Sequence, residues 1–200
     1  EIDEKHLLAF IVKDKYKEEQ KCKEELEKYC KELKEADKNL ENVDDKVKGL
    51  CDDKKRDEKC KDVKKKVEDE LKDFEEELQK VLNNIKDENC EKYEEKCILL
   101  EETDYDVIKD NCVKLREGCY ELKRKKVAEE LLLRALGKEA KEEVKCQAEM
   151  KKVCPVLSRE SDELMFLCLD SDGTCQALKK KSEEVCQLLK EKLKDGELKE

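Results

Sequence analysis

Two pairs of cysteines, Cys90/Cys97 and Cys112/Cys119, constrain this chain more than any other feature. The members of each pair are seven residues apart, and apolar residues at helical spacing surround both. Seven residues are close to two turns of α-helix, so both sulfurs of a pair fall on one face, about 10.5 Å apart along the axis. A disulfide needs Cα atoms within roughly 7 Å. A helical pair therefore cannot close on itself, and each cysteine needs a partner on a neighbouring helix. In an antiparallel hairpin the first cysteine meets the fourth and the second meets the third.

The same pattern recurs on both sides. Three copies of C-x6–7-C, a link of 13 to 20 residues and C-x6–8-C begin at Cys22, Cys90 and Cys146. Leu7 precedes Cys22 by fifteen residues, as Leu131 precedes Cys146, and eight residues separate Cys22 from Cys30 and Cys146 from Cys154. The middle copy follows Leu71, Phe74, Leu78, Val81 and Leu82, a helical spacing that Asn83-Asn84 is expected to end. The third cysteine closes a short apolar signature in each copy, at Val47-Leu50-Cys51, Ile108-Asn111-Cys112 and Leu164-Leu167-Cys168. Periods of this size mark an array of helical units.

Nesting predicts Cys22–Cys60 with Cys30–Cys51, Cys90–Cys119 with Cys97–Cys112, and Cys146–Cys175 with Cys154–Cys168. The first copy fits least well, because nine residues put Cys51 and Cys60 on opposite faces of an ideal helix. The third copy suggests that its third cysteine ends one helix and its fourth begins another. Thr103 and Ser161, each followed by acidic residues, read as N-caps. Pro155 marks a place for a helix to stop. Asp170 to Thr174 reads as a loop with Thr174 as a cap, and Gly137 as a helix break.

Leu, Ile, Val and Phe make up 47 of 200 residues and 51% are charged. Such a core is thin, and staples are needed to hold it. Thirteen cysteines imply an oxidising compartment. Zinc prefers C-x2-C with histidine, but no C-x2-C occurs and His6 is the sole histidine, so no metal is expected. Asp170-Ser171-Asp172-Gly173 faintly resembles a calcium loop, but Cys168 and Lys179 would stand where acids are required, so it is read as a turn. Thirteen is odd. Cys186, the remaining cysteine, is read as a buried thiol or as bonded outside the chain, with a reactive thiol as the alternative.

No signature of catalysis is evident. His6 reads as a helix-start residue. There is no phosphate loop and no G-x-S-x-G, so neither an enzyme nor a cofactor is expected. The spacings also fit the C-x9-C hairpins of mitochondria poorly. A net charge of −10 argues against nucleic acid, and no apolar run is long enough to span a membrane. The sequence opens at Glu1 without a secretory leader, which points to a fragment of a longer protein.

A basic cluster begins four residues after the fourth cysteine of every copy. The clusters are Lys64-Lys65-Lys66, Lys123-Arg124-Lys125-Lys126 and Lys179-Lys180-Lys181. Two readings stand. They form a stripe for anionic glycosaminoglycans, or a solvated face balanced by pairs such as Glu121–Lys125.

The words around the cysteines resemble a known family. His6-Leu-Leu-Ala-Phe-Ile-Val-Lys13 with Lys21-Cys-Lys-Glu-Glu-Leu-Glu-Lys-Tyr-Cys30 is similar to the start of the major surface glycoproteins of the lung fungus Pneumocystis. So are Glu130-Leu-Leu-Leu-Arg-Ala-Leu136, Cys154-Pro-Val-Leu157 and Ser161-Asp-Glu-Leu-Met-Phe-Leu-Cys168. The resemblance implies an extracellular, variable glycoprotein of the fungal cell surface or cell wall, with this chain as its N-terminal portion. It implies attachment to host cells and to fibronectin and vitronectin, recognition by host antibodies, and antigenic variation. The sequence departs from the family in having no N-x-S/T sequon and no Ser/Thr-rich region with an anchor signal. The combined expectation is an all-α chain of disulfide-stapled modules in tandem, with little or no strand, divided at 1–85, 86–137 and 138–200. It serves adhesion or, alternatively, as a structural coat module.

Overall fold

The computed structural model describes residues 2–194. Among them there are helices and turns and no strand. The chain forms two compact units, residues 1–120 and 121–200.

In the first unit α1 (Glu4–Val12) is the central element. Its residues are mostly apolar, and Leu8, Ala9, Ile11 and Val12 are buried. Around it pack α2 (Glu19–Ala36), the short α3 (Asp45–Leu50), α5 (Val63–Leu82) and α6 (Asp87–Leu100), with α4 (Arg56–Cys60) against α2. The apolar residues of α5 recur every three or four positions at Val63, Val67, Leu71, Phe74, Leu78 and Val81, and all six are buried. That stripe is too long for one neighbour, so α1 covers part of it and α6 part. Phe74 stacks on Tyr93 of α6 at 6.4 Å, with Lys96 Nζ 5.4 Å above its ring and 3.0 Å from Glu77. Arg116, on α7 (Asp106–Leu136), reaches Glu94 at 2.7 Å and Glu101 at 2.7 Å. The Glu101 and Glu94 carboxylates raise its pKa above the usual guanidinium value.

One hydrophobic cluster thus joins the first two cysteine sets, from Leu8 to Leu115. The compact units do not follow the repeat boundaries 1–85, 86–137 and 138–200, because the stripe of α5 is completed by helices from both sides of residue 85.

Asn83 follows the last residue of α5, and Lys86 caps α6 four residues before Cys90. Glu18 and Glu142 hold the same place before Cys22 and Cys146. The middle copy is a plain antiparallel pair. Cys90 and Cys97 on α6 bond to Cys119 and Cys112 on α7, with Cα separations of 5.8 and 5.7 Å. In the first copy Cys22 and Cys30 lie on α2, Cys51 follows α3 and Cys60 ends α4. The break between α3 and α4 turns both sulfurs toward α2, so nine-residue spacing is no obstacle. Cys22–Cys60 and Cys30–Cys51 form with Cα separations of 5.8 and 5.4 Å.

The second unit contains the end of α7, α8 (Glu143–Leu157), α9 (Asp162–Leu169) and α10 (Ser171–Lys194). Ala128, Leu132, Leu136, Ala140, Met150, Leu164 and Leu178 form its core around Cys146 and Cys175. Cys146–Cys175 and Cys154–Cys168 staple α8 to α10 and α9, with Cα separations of 5.9 and 5.7 Å.

A shift of 124 residues carries Cys22 onto Cys146 and much else with it. A 3-10 turn follows α1 at Lys13–Lys17 and α7 at Gly137–Lys141. Lys21 pairs with Glu18 at 2.6 Å, as Lys145 does with Glu142 at 2.7 Å. Each 3-10 turn begins with a positive φ, 50° at Lys13 and 55° at Gly137. Glycine enters that region without a Cβ penalty, whereas lysine is strained there. A Cβ at Gly137 would touch nothing within 4 Å, so Gly137→Ala tests backbone strain alone. It is expected to lower stability by about 1 kcal/mol, while Lys13→Gly leaves it unchanged or raises it. Urea midpoints of the two variants check the sign, and a loss in both would dismiss strain at Lys13.

Three local expectations are corrected. Thr103 does not cap α7: it is buried, its hydroxyl donates to the Leu100 carbonyl at 2.6 Å, and α7 begins at Asp106. Pro155 does not stop α8, which runs on to Leu157. It stands in the last turn, where it removes one ladder bond, that to the Lys151 carbonyl, and the helix ends two residues later. The stretch from Asp170 to Thr174 is not a loop, since α10 already begins at Ser171. Asp170, rather than Thr174, supplies the cap: its Oδ1 accepts from the Gly173 amide at 3.0 Å. A Cβ on residue 173 would meet Asp170 Oδ2 at 2.4 Å, so glycine makes room for that carboxylate. Thr174 instead donates to the Leu167 carbonyl at 2.9 Å. Ser161 does cap α9, accepting from the Leu164 amide at 3.2 Å.

Candidate interaction surface

With narrow apolar stripes turned inward, the solvent side of most described helices is left mainly to charged residues. Function therefore has to be sought on surfaces. The one histidine is not available for it. His6 sits in the first turn of α1 beside its N-cap Asp3, whose Oδ1 lies 2.8 Å from Nδ1. Burial opposes ionisation of Asp3, but the His6 amide, the His6 ring and the Lys5 amide outweigh it and hold the carboxyl below its ordinary 3.8. His6 Nε2 is 2.8 Å from Glu70 Oε1, outside hydrogen-bond geometry. The side chain is 3% exposed, so the group ties α1 to α5 and is closed to substrate. Among the described residues no group of three His, Cys, Asp or Glu could hold a metal ion.

The three basic clusters differ in their surroundings. Lys64, Lys65 and Lys66 occupy the first turn of α5 and are exposed. No acid stands in that turn, and Asp62, at φ 55°, offers no side-chain cap. The helix dipole disfavours cations there, so local electrostatics does not account for the triplet. Among the described residues no carboxylate pairs with these three. Lys66 borders a small cleft with Glu4, Lys5, Glu58 and Lys59, in which Lys59 pairs with Glu4 at 2.6 Å. The second cluster is tied down: Arg124 reaches Glu163 at 3.0 Å and Lys125 reaches Glu121 at 3.0 Å, while Lys123 is exposed and Lys126 has interactions of its own. In the third, Lys181 pairs with Glu129 at 2.6 Å, and Lys179 and Lys180 are exposed. Cys186 lies within α10, and its side chain is outside the described residues.

Two features were not evident from spacing. A cleft of about 400 Å3 opens beside Cys30, lined by Glu27, Lys31, Lys34, Glu35, Asp53 and Arg56. Arg56 spans it to Asp53 at 2.6 Å and Glu27 at 3.3 Å, so its charges are largely matched internally. The other is a pair of exposed apolar side chains on α9, Phe166 and Leu169. Its signal was the unbroken run Leu164 to Leu169, longer than one buried helix face can use.

The family model for Major surface glycoprotein matches residues 84–159, which contain the α6–α7 hairpin, both of its bridges and the start of the third copy. Over that stretch the chain is similar to the major surface glycoprotein family, whose members are cell-surface glycoproteins. No curated protein and no solved structure matches it. No described helix is long and apolar enough to cross a membrane.

Proposed function

We propose that this chain is a module of a fungal surface coat that attaches to host cells and to extracellular-matrix proteins such as fibronectin and vitronectin. The family match over residues 84–159 carries the reading. The architecture supports it physically. Cysteine pairs and a few buried apolar residues specify the helices, so the exposed charged positions can change without loss of fold. Such a scaffold suits antigenic variation under antibody pressure, with contact spread over many weak sites. The three copies, at 1–85, 86–137 and 138–200, are proposed as the repeating sequence unit. The lysine triplet at Lys64-Lys65-Lys66 is the first place to look for an anionic glycosaminoglycan contact, because its charges lack described partners. Glutamate at all three is expected to reduce retention on heparin several-fold in salt elution. Unchanged retention would dismiss the triplet.

A second reading has a specific observation behind it. Arg124, Lys125 and Lys181 are already neutralised within the chain, as in a coat module with no ligand of its own. Surface plasmon resonance with immobilised fibronectin, vitronectin and heparin separates the two. Saturable binding to any of them supports adhesion, and silence on all three supports the inert coat.

A further inference from the structure

The apolar run on α9 is out of character for a chain whose mean hydropathy is −1.01. Six consecutive apolar residues, Leu164-Met165-Phe166-Leu167-Cys168-Leu169, stand on an eight-residue helix. The unit uses one face of it: Leu164 is buried, Leu167 packs on the core and Cys168 bonds to Cys154. Phe166 and Leu169 are three residues apart and share the other face. They are 65% and 75% exposed. Val156, two residues beyond the bridged Cys154, is 63% exposed. Burying a side chain of the Phe or Leu kind is worth about 1.5–3 kcal/mol, and folding forgoes that here.

The other copies do not share the feature. Aligned on the third cysteine, Phe166 corresponds to Gly49 and Asp110, and Leu169 to Asp52 and Val113. A large aromatic side chain is thus specific to the third copy. The only other phenylalanines are Phe74, fully buried, and Phe10, packed against the core of the first unit.

The border is mainly acidic. Glu160, Asp162, Asp170 and Asp172 are exposed in the sequence flanking the run, and the cations beside it are Arg159 and Arg124, the latter taken up by Glu163 of α9. An apolar pair at i, i+3 with an acidic border is complementary to a segment with the opposite arrangement. We propose that this face of α9 docks a basic amphipathic helix, one presenting leucine- or phenylalanine-sized side chains at i, i+3, i+4 between lysines or arginines. The site does not depend on the adhesion reading.

The test uses the oxidised full chain and a fluorescent synthetic peptide of leucine and lysine with helical apolar spacing. Controls are a scrambled peptide of equal composition and an oligolysine of equal charge. The amphipathic peptide is expected to bind saturably and to weaken in high salt. Phe166→Ser with Leu169→Ser is expected to reduce affinity about tenfold or more, as for truncated anchors at an interface centre, with an unchanged helical spectrum. Glu160→Gln with Asp172→Asn should reduce both the affinity and its salt dependence while leaving the apolar pair in place. Equal binding of oligolysine or the scrambled peptide would overturn the proposal. So would dimerisation of the chain that is lost in the Phe166/Leu169 variant without peptide binding, which would assign the face to a second copy.

Discussion

Replacing Cys22 and Cys60 together by alanine is expected to destabilise the first unit by about 4 kcal/mol. The bridge closes a separation of 38 residues. In the chain-entropy model a loop of that size contributes roughly 4 kcal/mol by restricting the unfolded chain. For a unit of this length the loss corresponds to a fall in the thermal midpoint of roughly 15 °C. Both cysteines are fully buried, against Leu26 and Val63 in the same core, so packing is lost as well. Alanine avoids adding two buried hydroxyls, which would confuse lost crosslinking with unsatisfied polar groups. The comparison is Cys90→Ala with Cys119→Ala. Its separation of 29 residues has nearly the same entropy, but both cysteines are only partly buried. The Cys22/Cys60 variant should therefore melt below the Cys90/Cys119 variant, by circular dichroism without reductant. A midpoint equal to that of the unaltered chain would show that the core holds the unit without this staple. Peptide mapping of the oxidised chain belongs with the experiment. A Cys22–Cys30 or Cys90–Cys97 linkage would sink the nested scheme.

Cysteine spacing was legible because helix rise is a hard ruler. Two sulfurs seven residues apart on one helix cannot meet, whatever surrounds them. The inference needed no knowledge of packing. Where it faltered, at Cys51 and Cys60, the ideal helix was the wrong premise, and a break after α3 removed the difficulty. Local end signals were less reliable. Ser161 has the sequence context of a cap and is one, whereas Thr103, in nearly the same context, spends its hydroxyl on the Leu100 carbonyl. The distinction is tertiary, since Thr103 is buried. Asp170 and Gly173 look like loop residues because caps and turns draw on the same side chains. Lys13 could not have been found at φ 50°, because nothing in a lysine announces a left-handed backbone. Its copy Gly137 was read as a helix break, and α7 does end at Leu136, just before it. The basic clusters were plain in sequence, but pairing is a matter of which carboxylate lies opposite. Glu121–Lys125 was legible from its i, i+4 spacing, but only the structure shows Arg124 on Glu163 and Lys181 on Glu129. Unit boundaries were hidden for a similar reason. The stripe of α5 was visible, but not that α6, from the next cysteine copy, completes its cover.

That shared cover makes Phe74 the most consequential side chain to remove. Phe74→Ala is expected to destabilise the first unit by about 3–5 kcal/mol, the range for phenylalanine truncated in a closed core. The ring is fully buried. It stacks on Tyr93 and lies beneath Lys96, which is itself buried and paired with Glu77. Truncation leaves a cavity between α5 and α6 and withdraws the aromatic face from a cation that has little water to replace it. Phe74→Leu keeps most of the volume and should lose much less, about 1–1.5 kcal/mol. Native-state hydrogen exchange reports where the loss falls. If α1, α5 and α6 share one core, amides of α6 will lose protection in Phe74→Ala along with those of α1 and α5. If the first two cysteine copies fold as separate modules, protection will fall only before residue 85, and α6 and α7 will exchange as in the unaltered chain. The second pattern would overturn the single core. The same truncation at Phe166, which is 65% exposed, should leave the urea midpoint within about 0.5 kcal/mol. One residue type then separates a side chain the fold requires from one that it leaves to solvent.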